Sequence, residues 1–331
     1  MKIAVFSAQP YDRRFFDAES RTGDAHELLY FTEPLSQRSS VLAQGCEAVC
    51  VFVNDVLDAP VLEALAKLGV RAVLLRCAGF NNLDIAAAAR LGLFVARVPA
   101  YSPEAVAEHT LALVLTLNRN THRAHARIRE GNFALDGLLG SNLHGKTVGV
   151  VGLGKIGMAT ARIFKGFGCR VLGFDPVVPF QFGTLGELAP LAQLLAQADI
   201  VSLHCPLTES THHMIDARAL KDMKRGAMLV NTSRGALIDT AAVIHALKSR
   251  QLGALAIDVY EQESELFFHD HSADIIGDDV FQRLLTFPNV LVTGHQGFFT
   301  IEAMREIAQT TFANLACHVR GAPCFNAVPG T

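Results

Sequence analysis

Along the first hundred residues, short apolar runs alternate with longer Ala- and Leu-rich stretches. The runs Ile3 to Phe6, Ala48 to Val53, Ala72 to Arg76 and Phe94 to Val98 read as strands, and Pro60 to Leu68 and Leu83 to Leu91 as helices between them. The first of these helices opens on a Pro and both close near a Gly, which suits helix starts and stops. This is the βαβ rhythm of a parallel sheet. One long helical segment is expected from about Pro103 to Arg129, with Ser102 as N-cap, Pro103 at the first position and Glu104 in the first turn.

Beyond it the rhythm resumes. Thr147 to Val151, Arg170 to Phe174, Ile200 to His204, Ala227 to Asn231, Ala254 to Val259 and Val290 to Thr293 are six further strand candidates, enough for a complete doubly wound sheet. Ile301 to Arg320 is again helical in pattern, followed by Gly321 and Pro323. If that last helix returns to the first domain, the domains are 1–100 with 299–331, and 101–298, with a doubly connected hinge framing a cleft.

Composition supports this division. A chain of 331 residues, 50% hydrophobic and 18% charged, exceeds the size at which one core keeps growing. The net charge of -3 gives no drive toward nucleic acid or an anionic membrane, and a small-molecule partner fits better. Apolar stretches such as Leu111 to Leu117 are far shorter than the roughly 20 residues that a membrane span needs. Met1 to Phe6 reads as a strand rather than a secretion signal, so a cytoplasmic protein is expected. The seven cysteines, at 46, 50, 77, 169, 205, 317 and 324, form no CxxC pair and read as reduced buried thiols. No metal site is expected: His269, Asp270 and His271 lie close together but lack a compact set of further ligands, so a solvated loop is the better reading.

The segment Gly152-Leu153-Gly154-Lys155-Ile156-Gly157 is GxGxxG between a predicted strand and a predicted helix. The first glycine permits a tight turn, the second lets backbone amides approach a pyrophosphate, and the third lets helix pack on strand. Asp175 ends the next strand, where a carboxylate can accept from ribose hydroxyls and disfavour the extra phosphate of NADP. The motif by itself does not separate a dehydrogenase from a flavoprotein or a methyltransferase.

Reducing a 2-keto acid requires a cation for the carboxylate and an acid of near-neutral pKa to supply a proton. Arg234, in Asn231-Thr232-Ser233-Arg234-Gly235 at a predicted strand end, suits bidentate carboxylate recognition. Glu263 and His295 follow the next two strands, and a carboxylate beside an imidazole favours its protonated form. From spacing alone, Arg234 could equally be a surface ion-pair partner, Glu263 a solvated loop charge and His295 an ordinary loop residue.

The segments Arg76 to Asn82, Val98 to Pro103, the GxGxxG block, His204 to Thr208, Asn231 to Gly235, Asp258 to Glu263 and Gly294 to Gln296 together resemble the D-2-hydroxyacid dehydrogenase family over nearly the whole chain. Within it the bacterial fermentative D-lactate dehydrogenases are most similar. The resemblance implies a flavodoxin-like substrate domain and a Rossmann NAD-binding domain. It implies Arg234 on the substrate carboxylate and carbonyl, His295 as acid and base, Glu263 orienting His295, and backbone amides of Ala78 and Gly79 on the carboxylate. Tyr101, Phe299 and Phe52 would line the substrate pocket; related enzymes of lactic-acid bacteria carry Tyr where Phe52 stands. For NAD it implies Lys155 and Ile156 at the phosphates, Cys205 and Pro206 beside the adenosine, Thr232 near the nicotinamide ribose, Asp258 near the carboxamide, and Ser233 also among the cofactor-binding residues. Cys205 and Tyr101 could instead simply pack. The expected activity is reduction of pyruvate to D-lactate by a homodimer or homotetramer. A broader 2-keto acid reductase and an NAD(H)-sensing corepressor are the alternatives.

Overall fold

The computed structural model describes residues 1–21, 26–177, 179–263, 266–268 and 270–331. The chain forms two compact units, Met1–Ser102 with Phe299–Thr331, and Pro103–Phe298, so the first border falls at Ser102 rather than at residue 100.

In the first unit, β1 (Lys2–Val5), α1 (Pro10–Ser20), β2 (Glu27–Tyr30), β3 (Ala48–Val51), α2 (Ala59–Lys67), β4 (Ala72–Leu75), α3 (Ile85–Arg90) and β5 (Phe94–Arg97) follow one another. Among the described residues the five strands pair in the order β2-β1-β3-β4-β5, every pairing parallel. This flavodoxin-like order places a switch point at β1 and β3, where ligands of such sheets bind. β3 and β4 are buried at every position, which is why they read as unbroken apolar runs. The short edge strand β2 lacks that signal and was not foreseen; its residues are half-buried or exposed.

The second unit begins with α4 (Pro103–Arg119) and α5 (Thr121–Arg129), a correction to the single helix expected over 103–129. Asn120 breaks it, at a left-handed φ of 51° that Asn tolerates better than most residues. The Asn118 side chain turns to Ser141, donating to its carbonyl at 2.7 Å and accepting from its hydroxyl at 3.0 Å. No residue of α5 is buried, so nothing within the unit holds it in line with α4.

There follow β6 (Thr147–Val151), α6 (Lys155–Gly166), β7 (Arg170–Phe174), β8 (Glu187–Leu188), α7 (Leu191–Gln197), β9 (Ile200–Leu203), α8 (Ala217–Asp222), β10 (Ala227–Asn231), α9 (Thr240–Lys248), β11 (Leu252–Ile257), α10 (Asp279–Leu285) and β12 (Val290–Val292). The sheet order is β12-β11-β10-β9-β6-β7-β8, again parallel throughout, which is the Rossmann arrangement extended by one strand at the β12 edge. β8, with two exposed residues, is the strand that the six-strand expectation missed. α11 (Ile301–Arg320) starts on the Thr300 cap and returns to the first unit, where Phe312 meets Phe16 with ring centroids 5.7 Å apart. The tail then runs beside β5, Val328 donating to the Val95 carbonyl at 2.9 Å.

A buried charge network ties the carboxyl ends of the strands in the first unit. Arg76, just past β4 and 3% exposed, lies 3.4 Å from Asp12 of α1, donates to the Ser7 carbonyl at 2.8 Å and sits over the Phe52 ring at 5.1 Å. Asp55 accepts from the Ser7 hydroxyl at 2.7 Å, from the Leu35 amide at 2.6 Å and from the Phe52 amide. Burial pushes the Asp55 carboxyl up, while Arg76 and these donors oppose the shift. Removing one partner of a buried ion pair leaves an uncompensated charge. Arg76→Ala is therefore expected to lower stability by about 3–5 kcal/mol, read as a fall in the urea midpoint; a midpoint equal to wild type would contradict this role.

Candidate active site

The turn between β6 and α6 is built by its glycines. Gly152 has φ 94°, and a Cβ there would lie 2.5 Å from the His204 carbonyl carbon. A Cβ on Gly157 would lie 1.9 Å from the Gly152 oxygen, so only glycine lets the helix sit this close to the strand. Around Gly154, by contrast, a Cβ would meet nothing within 4 Å, and Gly154 caps α6 without a side-chain acceptor. The space beside Gly154, at the N-terminus of α6, is thus open, which suits an anion. Asp175 accepts from the Leu153 amide at 2.6 Å and from the Val177 amide at 2.8 Å, bracing the turn from the end of β7. The turn fits a dinucleotide pyrophosphate.

His204 and Cys205 follow β9 against this turn. The Cys205 side chain packs, its Sγ 3.5 Å from Met214 Sδ, and burial pushes its thiol up to about 11. Pro206 is exposed, and the Ser233 hydroxyl donates to the Cys205 carbonyl at 2.7 Å. His204 Nε2 lies 2.8 Å from the Ser202 hydroxyl, and its buried Nδ1 has no partner among the described residues.

The carboxyl ends of the neighbouring strands β10, β11 and β12 carry the other candidates. After β10, buried Asn231 folds the turn: its amide donates to the Arg234 carbonyl at 2.8 Å, and its oxygen accepts from the Ser233 amide at 3.0 Å. Half-buried Arg234 donates to the Ser233 carbonyl at 2.7 Å and has no carboxylate partner among the described residues. Thr232 shares a 2.9 Å hydrogen bond with Thr110 of α4.

After β11 comes Asp258, 1% exposed. Its Oδ1 accepts from the Thr293 hydroxyl and from the Gln296 amide at 2.9 Å, and its Oδ2 from the Gly297 amide at 2.8 Å. His109 Nε2 is 3.2 Å from Oδ1 and 3.1 Å from Thr293 Oγ1. Burial opposes ionisation of Asp258, but His109, Thr293 and Gly297 together hold its carboxyl below the usual value. The Asp258 carbonyl also accepts the His295 amide at 2.7 Å.

His295 is thereby held at φ 53°, a strained backbone for a non-glycine residue. Its Nδ1 lies 2.8 Å from Glu263 Oε1, and Glu263 Oε2 accepts the Tyr260 amide at 3.0 Å. Phe298 stands edge-on to the imidazole at 6.5 Å. The structure therefore brings Glu263 and His295 into contact, as a pair rather than as solvated loop charges. His109 and Thr110 brace this arrangement without any motif marking them. The two α4 residues look like ordinary helix positions in sequence.

The remaining candidates belong to the first unit. The amides of Ala78 and Gly79 donate to no acceptor among the described residues, while their carbonyls accept from Arg97 at 2.7 Å and from the Cys77 thiol at 3.2 Å. Phe52 lies under Arg76, Tyr101 is half-buried, and half-exposed Phe299 meets Tyr11 edge-on at 4.7 Å. Of the possible metal ligands, His269 lies outside the described residues; His271 Nδ1 is 3.3 Å from Asp274. Among the described residues no group of three or more His, Cys, Asp or Glu could hold a metal ion.

Burial depresses the His204 imidazole to about 4, so it stays neutral in the fold to a lower pH than in the unfolded chain. Stability is then complete above about 6.5 and falls as the unfolded chain takes the proton first, by up to about 3 kcal/mol at pH 4. His204→Asn should flatten this acid limb in urea denaturation measured between pH 7 and 4. A wild-type slope in the variant would assign the limb to other groups.

The profile of the D-isomer specific 2-hydroxyacid dehydrogenase NAD binding domain matches residues 111–297. The 2-hydroxyacid dehydrogenase A of Aspergillus oryzae is 58% identical over 330 residues, covering 99% of this chain and 95% of that protein. The D-lactate dehydrogenase of Escherichia coli is 51% identical over 98% of this chain and 99% of its own. The apo structure of the E. coli enzyme superposes with a TM-score of 0.92 over 99% of this chain and 100% of that one. The pyruvate reductase of Chlamydomonas reinhardtii, 43% identical, gives 0.94 over 98% of each chain. With the glycine turn, the Glu263–His295 pair and this likeness in view, the chain belongs to the D-isomer specific 2-hydroxyacid dehydrogenase family and is an NAD-dependent oxidoreductase.

Proposed function

We propose that the protein is a D-lactate dehydrogenase that reduces pyruvate, with Arg234, Glu263 and His295 as its catalytic residues. The observation that carries the reading is His295, bonded through Nδ1 to Glu263 and with no partner for Nε2 among the described residues. A ring held this way can present a proton at Nε2 to a carbonyl oxygen. The guanidinium of Arg234, which has no carboxylate partner among the described residues, suits the substrate carboxylate and polarises its ketone. The open amides of Ala78 and Gly79 offer a second carboxylate cradle. Bound NADH supplies the hydride.

For the cofactor, the amides of Lys155, Ile156 and Gly157 are assigned to the pyrophosphate, with Gly152 and Gly154 clearing the approach. Asp175 is assigned to the adenosine ribose, Cys205 and Pro206 to the adenosine side, and Thr232 and Ser233 to the nicotinamide ribose. Asp258 is assigned first to bracing the His295 loop and second to the carboxamide. Phe52, Tyr101 and Phe299 supply apolar surface that suits a methyl group better than a charged substituent. The names of the E. coli and Chlamydomonas relatives support the same substrate.

Exposed apolar side chains cluster over 128–139, with Phe133 72%, Leu135 84% and Leu139 95% exposed, and support self-association into a homodimer or homotetramer. No disulfide joins any of the seven cysteines, which supports a reducing, cytoplasmic setting, and no described helix is long and apolar enough to cross a membrane.

With NADH and a panel of 2-keto acids, pyruvate should give the highest kcat/KM, and chiral chromatography should return D-lactate. An L-lactate product, or phenylpyruvate outrunning pyruvate, would overturn the substrate assignment. Glu263→Gln weakens the bond that orients the His295 ring, so kcat should drop by about 10–100-fold while KM for pyruvate stays near wild type. A kcat equal to wild type would remove Glu263 from this role.

A further inference from the structure

One cavity of the second unit lies away from the glycine turn. It has a volume of about 470 Å³, within the usual range for small-molecule sites. Its walls come from residues at or just before the starts of their strands, including Lys146, Ile200, Ala227 and Gly253, and from the end of α4. The dinucleotide turn follows the opposite, carboxyl end of β6. The two sites are thus separated by the length of a strand, roughly 15 Å.

The charge of this cavity is one-sided. Lys146, Lys224 and Arg225 stand in its wall with a single carboxylate, Asp199. Asp199 is consumed internally: Lys224 Nζ lies 2.6 Å from Oδ1, and the Thr147 amide donates to Oδ2 at 2.9 Å. Lys146 and Arg225 have no carboxylate within ion-pair distance among the described residues. The cavity therefore carries a surplus of two positive charges above a floor that includes Leu117, Leu143 and Met228. Concave sites lined by one sign of charge concentrate counter-ions.

We propose that this cavity binds a small organic polyanion, carrying carboxylate or phosphate groups, and that occupancy is felt at His295 through α4. Leu117 and Asn118, near the end of that helix, line the cavity. About two turns earlier, roughly 12 Å along the axis, His109 contacts Thr293 and Asp258, and Thr110 contacts Thr232. Asp258 in turn fixes the amides around His295. A rigid helix bonded at one end to the catalytic loops and walled into a charged cavity at the other has the connectivity that coupling between sites requires. The binding half stands on the cavity alone; the coupling half rests on the catalytic role proposed for His295.

The test is isothermal titration calorimetry of the full chain saturated with NADH, which keeps the dinucleotide turn filled, using pyrophosphate and citrate as separate probes. Saturable binding of at least one is expected, weakened at least about tenfold in a Lys146→Met, Arg225→Met double variant whose circular dichroism spectrum matches wild type. The stronger probe identifies the anion class. Absence of saturable binding by either probe, or equal binding by the variant, overturns the site. Saturating probe should also change kcat/KM for pyruvate at least about threefold in wild type and not in the variant; an unchanged value overturns the coupling. Failure to reduce pyruvate at all would refute the proposed function and leave calorimetry to decide the cavity. If the double variant dissociates in sedimentation while neither probe binds wild type, the cavity is a contact between copies and the proposal falls.

Discussion

The buried carboxylate of Asp258 is the constraint on which the chemistry rests. A carboxylate taken out of water is costly unless donors replace its hydration. Here they do: the Thr293 hydroxyl, the Gln296 and Gly297 amides and the His109 ring converge on its two oxygens. Satisfying that one charge closes the loop after β12 into a fixed shape. It also forces His295 into a backbone conformation that would otherwise be avoided. The imidazole then meets Glu263, whose other oxygen is held by the Tyr260 amide. The position of the histidine is therefore set by groups outside the Glu263–His295 pair.

The same logic recurs in the first unit with opposite chemistry at its centre. There a buried cation, Arg76, gathers the chain around the ends of β1 and β4 through Ser7 and Asp12, while Asp55 gathers Ser7, Leu35 and Phe52. Both networks lie at the carboxyl ends of parallel strands, where peptide groups leave the sheet ladder and need new partners. Ordered loops at that edge leave selected groups unused, such as the amides of Ala78 and Gly79. Those unused groups are what a ligand can engage.

Helix α4 connects the loops after β10, β11 and β12 to the far edge of the second unit. Its apolar face is buried in the core through Leu113, Val114 and Leu117, so it moves as part of the sheet it covers. Two polar side chains, His109 and Thr110, interrupt that packing to reach Asp258, Thr293 and Thr232. Polar groups inside a packed surface demand partners, and that demand fixes the rotation and height of the helix relative to the strand ends.

What the sequence determined by itself was whatever repeats within a few residues. Buried parallel strands such as β3, β4 and β6 are continuous apolar runs, and the glycines at 152, 154 and 157 state their own geometry because no other side chain fits at 152 or 157. Arg234, Glu263 and His295 were legible as chemistry at strand ends, although spacing alone left them open to blander readings. Tertiary structure decided the rest. The edge strands β2 and β8 are short and partly polar, so they depend on a neighbour's free backbone rather than on their own pattern. Asn118, beside the break at Asn120, bonds Ser141, 23 residues further along the sequence, and the bracing of the His295 loop involves His109, far upstream on another element. Each is a hydrogen bond whose partner is distant along the chain, and periodicity carries no information about such a partner until the sheet has brought the strand ends together.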